Sequence, residues 1–157
     1  MIRTMAQLLQ SGDADTIVAA LEAALQRSDE SPFWRVKVTP LVRALLSVLL
    51  PLRDRGLLFT PEGKAEAALT PELLLRWCDL VSLRHLAFTL QRSNLSGRLE
   101  RTRHDDESAG AYRLVDLEQL GSYLSSYSVD LRNEFADFPI THYNLHIGIA
   151  DALKKLL

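Results

Sequence analysis

FWRVKVTPLVRALLSVLLPL, residues 33–52, decides the fold. Its apolar density demands burial on several sides, while Arg35, Lys37 and Arg43 are unfit for a bilayer interior. The longest uncharged run, Ala44 to Leu52, is far short of the roughly 20 residues that span a membrane. The stretch therefore reads as the central helix of a soluble bundle. Trp34, Val38, Leu41, Leu45, Leu49 and Leu52 recur at helical spacing and form one stripe. Ser31 and Pro32 mark its start, with a hydroxyl placed to cap and a proline where a missing N–H does no harm. Pro40 removes one ladder hydrogen bond, which predicts a kink or break near Lys37 to Thr39, and Pro51 is expected to limit the far end.

Helical signals continue on both sides. Asp13 or Asp15 can cap a helix over 14–27, where Ile17, Leu21, Ala24 and Leu25 share a face. Thr60, Pro61 and Gly63 form a turn cluster, and Thr70 with Pro71 repeats the cap signal before a short helix over Pro71 to Cys78. Asp79 or Ser82 starts the next helix, carrying Leu83, Leu86, Ala87 and Leu90 to about Gln91. Residues 93–111 lose apolar periodicity and gather Ser, Asn, Gly and Asp, which predicts a mobile charged loop. Helical patterning resumes over Val115 to Leu124 and over Thr141 to Leu157, where Leu145, Ile149, Leu153 and Leu156 line one face. The expectation is an all-α fold, a single compact bundle of six to seven helices over 1–157 with no internal repeat.

Composition narrows the function classes. The chain is 47% hydrophobic and 24% charged, as an ordinary globular domain is. A net charge of -2 and a pI near 6.1 give no global attraction to nucleic acid or anionic lipid. The single cysteine, Cys78, lies in an apolar segment and reads as a packed thiol suited to a reducing compartment. MIRTMAQLL lacks an apolar core long enough for a secretory signal. No glycine-rich phosphate loop, GxSxG elbow, HExxH or zinc-spaced cysteine cluster is present, so no catalytic, cofactor or metal site is expected.

Two clusters are candidates for recognition. His142 and His146 stand four apart, the spacing that lets two imidazoles reach one metal, but no third ligand is placed to join them and packing is the plainer reading. Arg92, Arg98, Arg101 and Arg103, beside His104, form a basic group that could grip phosphates or an acidic partner. Asp105, Asp106 and Glu107 follow at once and cancel much of that field. Asp116, Glu118, Asp130, Glu134 and Asp137 against Arg132 give the C-terminal third an acidic side. Trp34, Trp77, Phe33, Phe59 and Phe88 sit in apolar helical segments and read as core.

Phe33-Trp34-Arg35, the run to Leu46, Leu49-Leu50-Pro51-Leu52-Arg53-Asp54-Arg55-Gly56, Thr70 to Leu80, Tyr123-Leu124 and His142-Tyr143 together resemble the helical domain of type IV secretion coupling ATPases of the TraD/TraG/DotL kind. Ser125-Ser126-Tyr127 and Asn144 depart from the family's Pro-Gly and glycine at those points. The resemblance implies an all-helical domain excised from a larger membrane-associated, homo-hexameric motor, whose nucleotide-binding motifs lie elsewhere. It implies a place at the cytoplasmic face of the bacterial inner membrane and a role in selecting relaxase, relaxosome, DNA or effector protein for export. Protein recognition in a groove between helices is the expected mode, with DNA contact through the arginines or a purely structural role as the alternatives.

Overall fold

A computed structural model describes residues 3–96 and 115–157, and they form seven helices with no β-strand. Helix α3, Pro32–Asp54, is the centre, as its composition requires. It packs against α2 (Ala14–Arg27), α6 (Glu118–Ser126) and α7 (Ile140–Leu156). Val38, Leu41, Val42, Leu45, Leu46, Val48, Leu49 and Leu52 are all buried, so most of its circumference is core, not a single stripe. The short α1 (Met5–Ser11) leans on α2 and on α4 (Pro71–Arg76), and α5 (Leu80–Ser96) lies against α6 and α7. One hydrophobic cluster runs through all seven. No helix among the described residues is long and apolar enough to cross a membrane.

Several boundaries differ from expectation for identifiable reasons. The prolines do not divide or end α3, which runs unbroken through Pro40 and Pro51. Pro40 and Val36, whose carbonyl loses its helical donor to the proline, both lie on the exposed side of the helix. The helix stops instead at a left-handed glycine, Gly56 (φ 67°). There the Leu57 amide donates to the Leu52 carbonyl at 2.8 Å and the Gly56 amide to that of Arg53 at 3.1 Å, a Schellman ending. Ser31 occupies the N-cap position, but its hydroxyl makes no capping bond.

Helix α1 was not anticipated. Thr4 and Gln7 close a reciprocal capping box, in which each side chain accepts from the other's backbone amide. Arg53 secures its far end by donating to the Leu9 carbonyl at 2.8 Å. Asp13 and Thr70 cap α2 and α4 as their sequences suggested. Helix α5 continues to Ser96, so residues 93–96 are helical and not loop, and the remainder of the expected 93–111 loop lies outside the described residues.

Between α3 and α4 the chain folds over Trp77. Thr60 and Lys64 close a turn through the Thr60 amide and the Lys64 carbonyl at 2.8 Å, and Gly63 supplies the positive φ. Trp77 is fully buried, meets Phe59 edge to face at 5.7 Å and donates its indole N–H to the Phe59 carbonyl at 3.2 Å. Burying so large a ring demands such a partner for its one polar atom.

Candidate functional site

The junction of α5 and α7 concentrates the polar chemistry of the described residues. Asp79 caps α5, accepting from the Ser82 amide and hydroxyl, both at 2.8 Å. One turn on, Arg84 is buried; it donates to the Ala136 carbonyl at 2.6 Å and lies 4.1 Å over the ring of Phe138. His85 stacks on Trp77 and faces Glu134, with Nδ1 3.2 Å from Oε1. Together these hold the 128–139 connector against α5 and so fix where α7 begins. Phe138 then stacks on Tyr143 at 5.9 Å, setting the position of the first turn of α7.

Helix α7 has two contrasting apolar faces. Ile149, Ala152 and Leu153 enter the core with His146. At Gly148 the helix passes directly beneath Trp34, and a Cβ there would overlap the indole ring, so only glycine permits the approach. The opposite stripe, Ile140, Tyr143 and Ile147, is 73%, 38% and 46% exposed. Its spacing is that of one helix face, and Val81 at the start of α5 is also half open.

Beneath this stripe the core turns polar. Tyr127 sits among His142, His146 and Tyr123, with ring centroids 6.1, 5.3 and 5.1 Å away. Both imidazoles meet it edge to face, and among the described residues no three His, Cys, Asp or Glu side chains gather to hold a metal. His146 Nε2, His142 Nδ1, Tyr123 Oη and Thr89 Oγ1 are enclosed without a hydrogen-bond partner. Burial lowers the His146 imidazole to about 4, against a partial upward pull from Asp79. Burial, then the neighbouring Tyr127, pushes the Tyr123 phenol well above its ordinary range. Cys78 is raised to about 11 by burial and then by Asp79, and its Sγ lies 2.9 Å from the Leu75 carbonyl oxygen, so the thiol is packed, as expected.

A cleft of about 170 Å³ opens here, lined by Asp79, Leu80, Tyr143, His146, Ile147 and Asp151. It is well below the 300 Å³ or so at which pockets begin to admit drug-sized molecules. A wider groove of about 570 Å³ runs between α2 and α3 past Leu25, Val36 and Pro40. No family model, curated protein or solved structure matches this chain.

The residues singled out by sequence fall unevenly. Arg92 lies in the α5 helix, whereas Arg98, Arg101 and Arg103 lie outside the described residues. The acidic C-terminal side resolves largely into local structure. Asp116 and Asp130 accept from the backbone amides two residues ahead, and Glu134 faces His85. The Arg132 amide lowers Asp130 first, with the Arg132 guanidinium adding to it. Phe33 departs from its expected core place: it is half exposed, with Lys37 Nζ 5.6 Å from its ring centre. The Asp79, His146 and Asp151 grouping was not singled out, although the interleaved Ile140, Tyr143 and Ile147 spacing was a signal for the face above it.

Proposed function

We propose that this chain is a protein-recognition module, the substrate-selecting helical domain of a type IV secretion coupling motor. It recruits a relaxase, relaxosome or effector protein, and does not catalyse a reaction itself. The observation that carries the recognition reading is the exposed stripe Ile140, Tyr143 and Ile147 beside an acidic-rimmed cleft. A helix that buries one apolar face and leaves a second one open invites an amphipathic or extended partner segment. The assignment to a coupling motor, with its hexameric parent and inner-membrane location, rests on the sequence resemblance.

Titration of the purified chain with labelled relaxase or effector tails, and with single- and double-stranded DNA, at low and physiological salt tests this reading. Saturable tail binding that survives physiological salt is the expected result. DNA binding that collapses with salt and with neutralisation of Arg98, Arg101 and Arg103 would replace it with the DNA-contact reading. Absence of binding to either would leave a structural role in the ring.

A further inference from the structure

We infer that residues 130–139 form a strap that opens and closes apart from the rest of the bundle, clamped shut by Arg84 and controlling the first turn of α7. Its bearing on partner binding rests on the recognition reading above.

The connector before α4 and the connector before α7 are anchored differently. In the first, Leu57, Leu58, Phe59, Thr60 and Leu69 are buried, and the Glu66 amide donates across it to the Leu58 carbonyl at 2.9 Å, so it belongs to the core. From Asp130 to Ile140, no residue is buried. The strap's amide bonds among the described residues are local: Arg132 donates to the Asp130 carboxylate at 2.8 Å, Phe135 to the Asn133 side chain at 3.0 Å and Ala136 to the Asn133 carbonyl at 3.2 Å. Leu131 and Phe138 reach the core but stay only partly buried. Its polar ties to the other described elements come from two adjacent side chains of α5, Arg84 and His85. A segment with so few buried contacts opens at far lower cost than the core does.

Arg84 gives the reason that closure is weakly held. Its side chain is 9% exposed and forms no ion pair among the described residues. Closing the strap exchanges water on the guanidinium for one carbonyl, that of Ala136 at 2.6 Å, and one ring face, that of Phe138 at 4.1 Å. A buried charge without a counter-charge carries a desolvation cost, and opening the strap returns water to it.

Helix α7 depends on the strap for its start. Pro139 stands at the N-cap with no capping side chain, and the first turn holds no acidic residue. The Tyr143 amide donates to the Pro139 carbonyl at 3.0 Å, and the Tyr143 ring stacks on Phe138. Opening removes both holds, so it unwinds Ile140 and Tyr143, the first half of the exposed stripe, and leaves Ile147 in place.

The test is native-state hydrogen exchange of the full chain, read by NMR in low denaturant at the Ala136 and Tyr143 amides and, for the core, at Leu45 and Leu153. Ala136 and Tyr143 are expected to share one opening, insensitive to denaturant and at least about 100-fold more populated than that of the core amides. Arg84→Ala and Phe138→Ala should each speed both amides about tenfold while Leu45 and Leu153 keep the wild-type rate. Phe138 lies at the edge of the fold, so Phe138→Ala reads the strap even if Arg84→Ala does not fold. Exchange of Tyr143 only together with Leu153, different openings at Ala136 and Tyr143, or rates unmoved by Phe138→Ala would overturn the strap. A relaxase or effector tail at roughly 100 times its Kd should slow Tyr143 about 100-fold, because only the closed strap presents the whole stripe. Tail binding that leaves Tyr143 exchange unchanged would overturn the link to recognition, whereas a shared opening without any tail binding sustains the strap and removes the recognition role.

Discussion

The middle of α3 and the α5–α7 junction are both buried, yet they are built on opposite terms. Leu41, Leu45, Leu46 and Leu49 are aliphatic and enclosed, and none of the enclosed, unpartnered polar side-chain atoms among the described residues belongs to α3. Around Tyr123, Tyr127 and His146 the core contains enclosed polar atoms with no partner among the described residues, each costing on the order of 1–3 kcal/mol. A bundle whose stability comes from the first region can carry the second as a cost, and such a cost is retained most readily where the surface above it has a task.

The contrast breaks most visibly at α3. Leu45→Ala should lower unfolding stability by about 2–5 kcal/mol in denaturant melts, because the rigid surroundings cannot collapse onto the cavity. Gly148→Ala should cost about 1–3 kcal/mol, since Trp34 must leave its seat over α7. Next comes pH. The unfolded His146 takes up a proton near 6.5 and the folded one only near about 4, so stability that is intact above pH 6.5 is lost as the pH falls toward 4. The loss reaches about 3 kcal/mol and should be absent from His146→Phe, so that melts across that range show it in full as the wild-type minus variant difference.

At neutral pH, His146→Phe itself should stabilise by about 1 kcal/mol, by removing an unpartnered nitrogen while keeping the ring against Tyr127. The smallest effect belongs to Ser128, which holds φ 59° at the end of α6, where the Val129 amide donates to the Leu124 carbonyl at 3.1 Å. This is the ending that Gly56 gives α3, built with a residue that strains to adopt it. Ser128→Gly should therefore raise stability by roughly 0.5–1 kcal/mol, read as a small upward shift of the thermal midpoint.

The central helix and the order of the others were legible because apolar periodicity and caps at Asp13 and Thr70 act locally. Pro40 and Pro51 misled because a proline removes one bond, while the packing around them spans the whole of α3. Thr4 and Gln7 carried the signature of α1 openly, but the segment between them and Gly12 is too short to show a period. The candidate site was harder to see. Leu145, Ile149 and Leu153 form the stronger stripe on α7, and Ile140, Tyr143 and Ile147 are interleaved with it, so sequence alone does not say which faces water. His142 and His146 did mark the right helix, but as a spacing; only the fold places His146 beside Asp79, whose role in the sequence was simply that of a cap.

The most direct measurement is to map a bound relaxase or effector tail onto the chain by amide shifts or hydrogen-exchange protection. Perturbation confined to Asp79, Val81, Ile140, Tyr143, Ile147 and Asp151, with the α3 core unmoved, is the expected result. Protection centred on α2 and the start of α3, with that face untouched, would contradict the division of labour between the two regions.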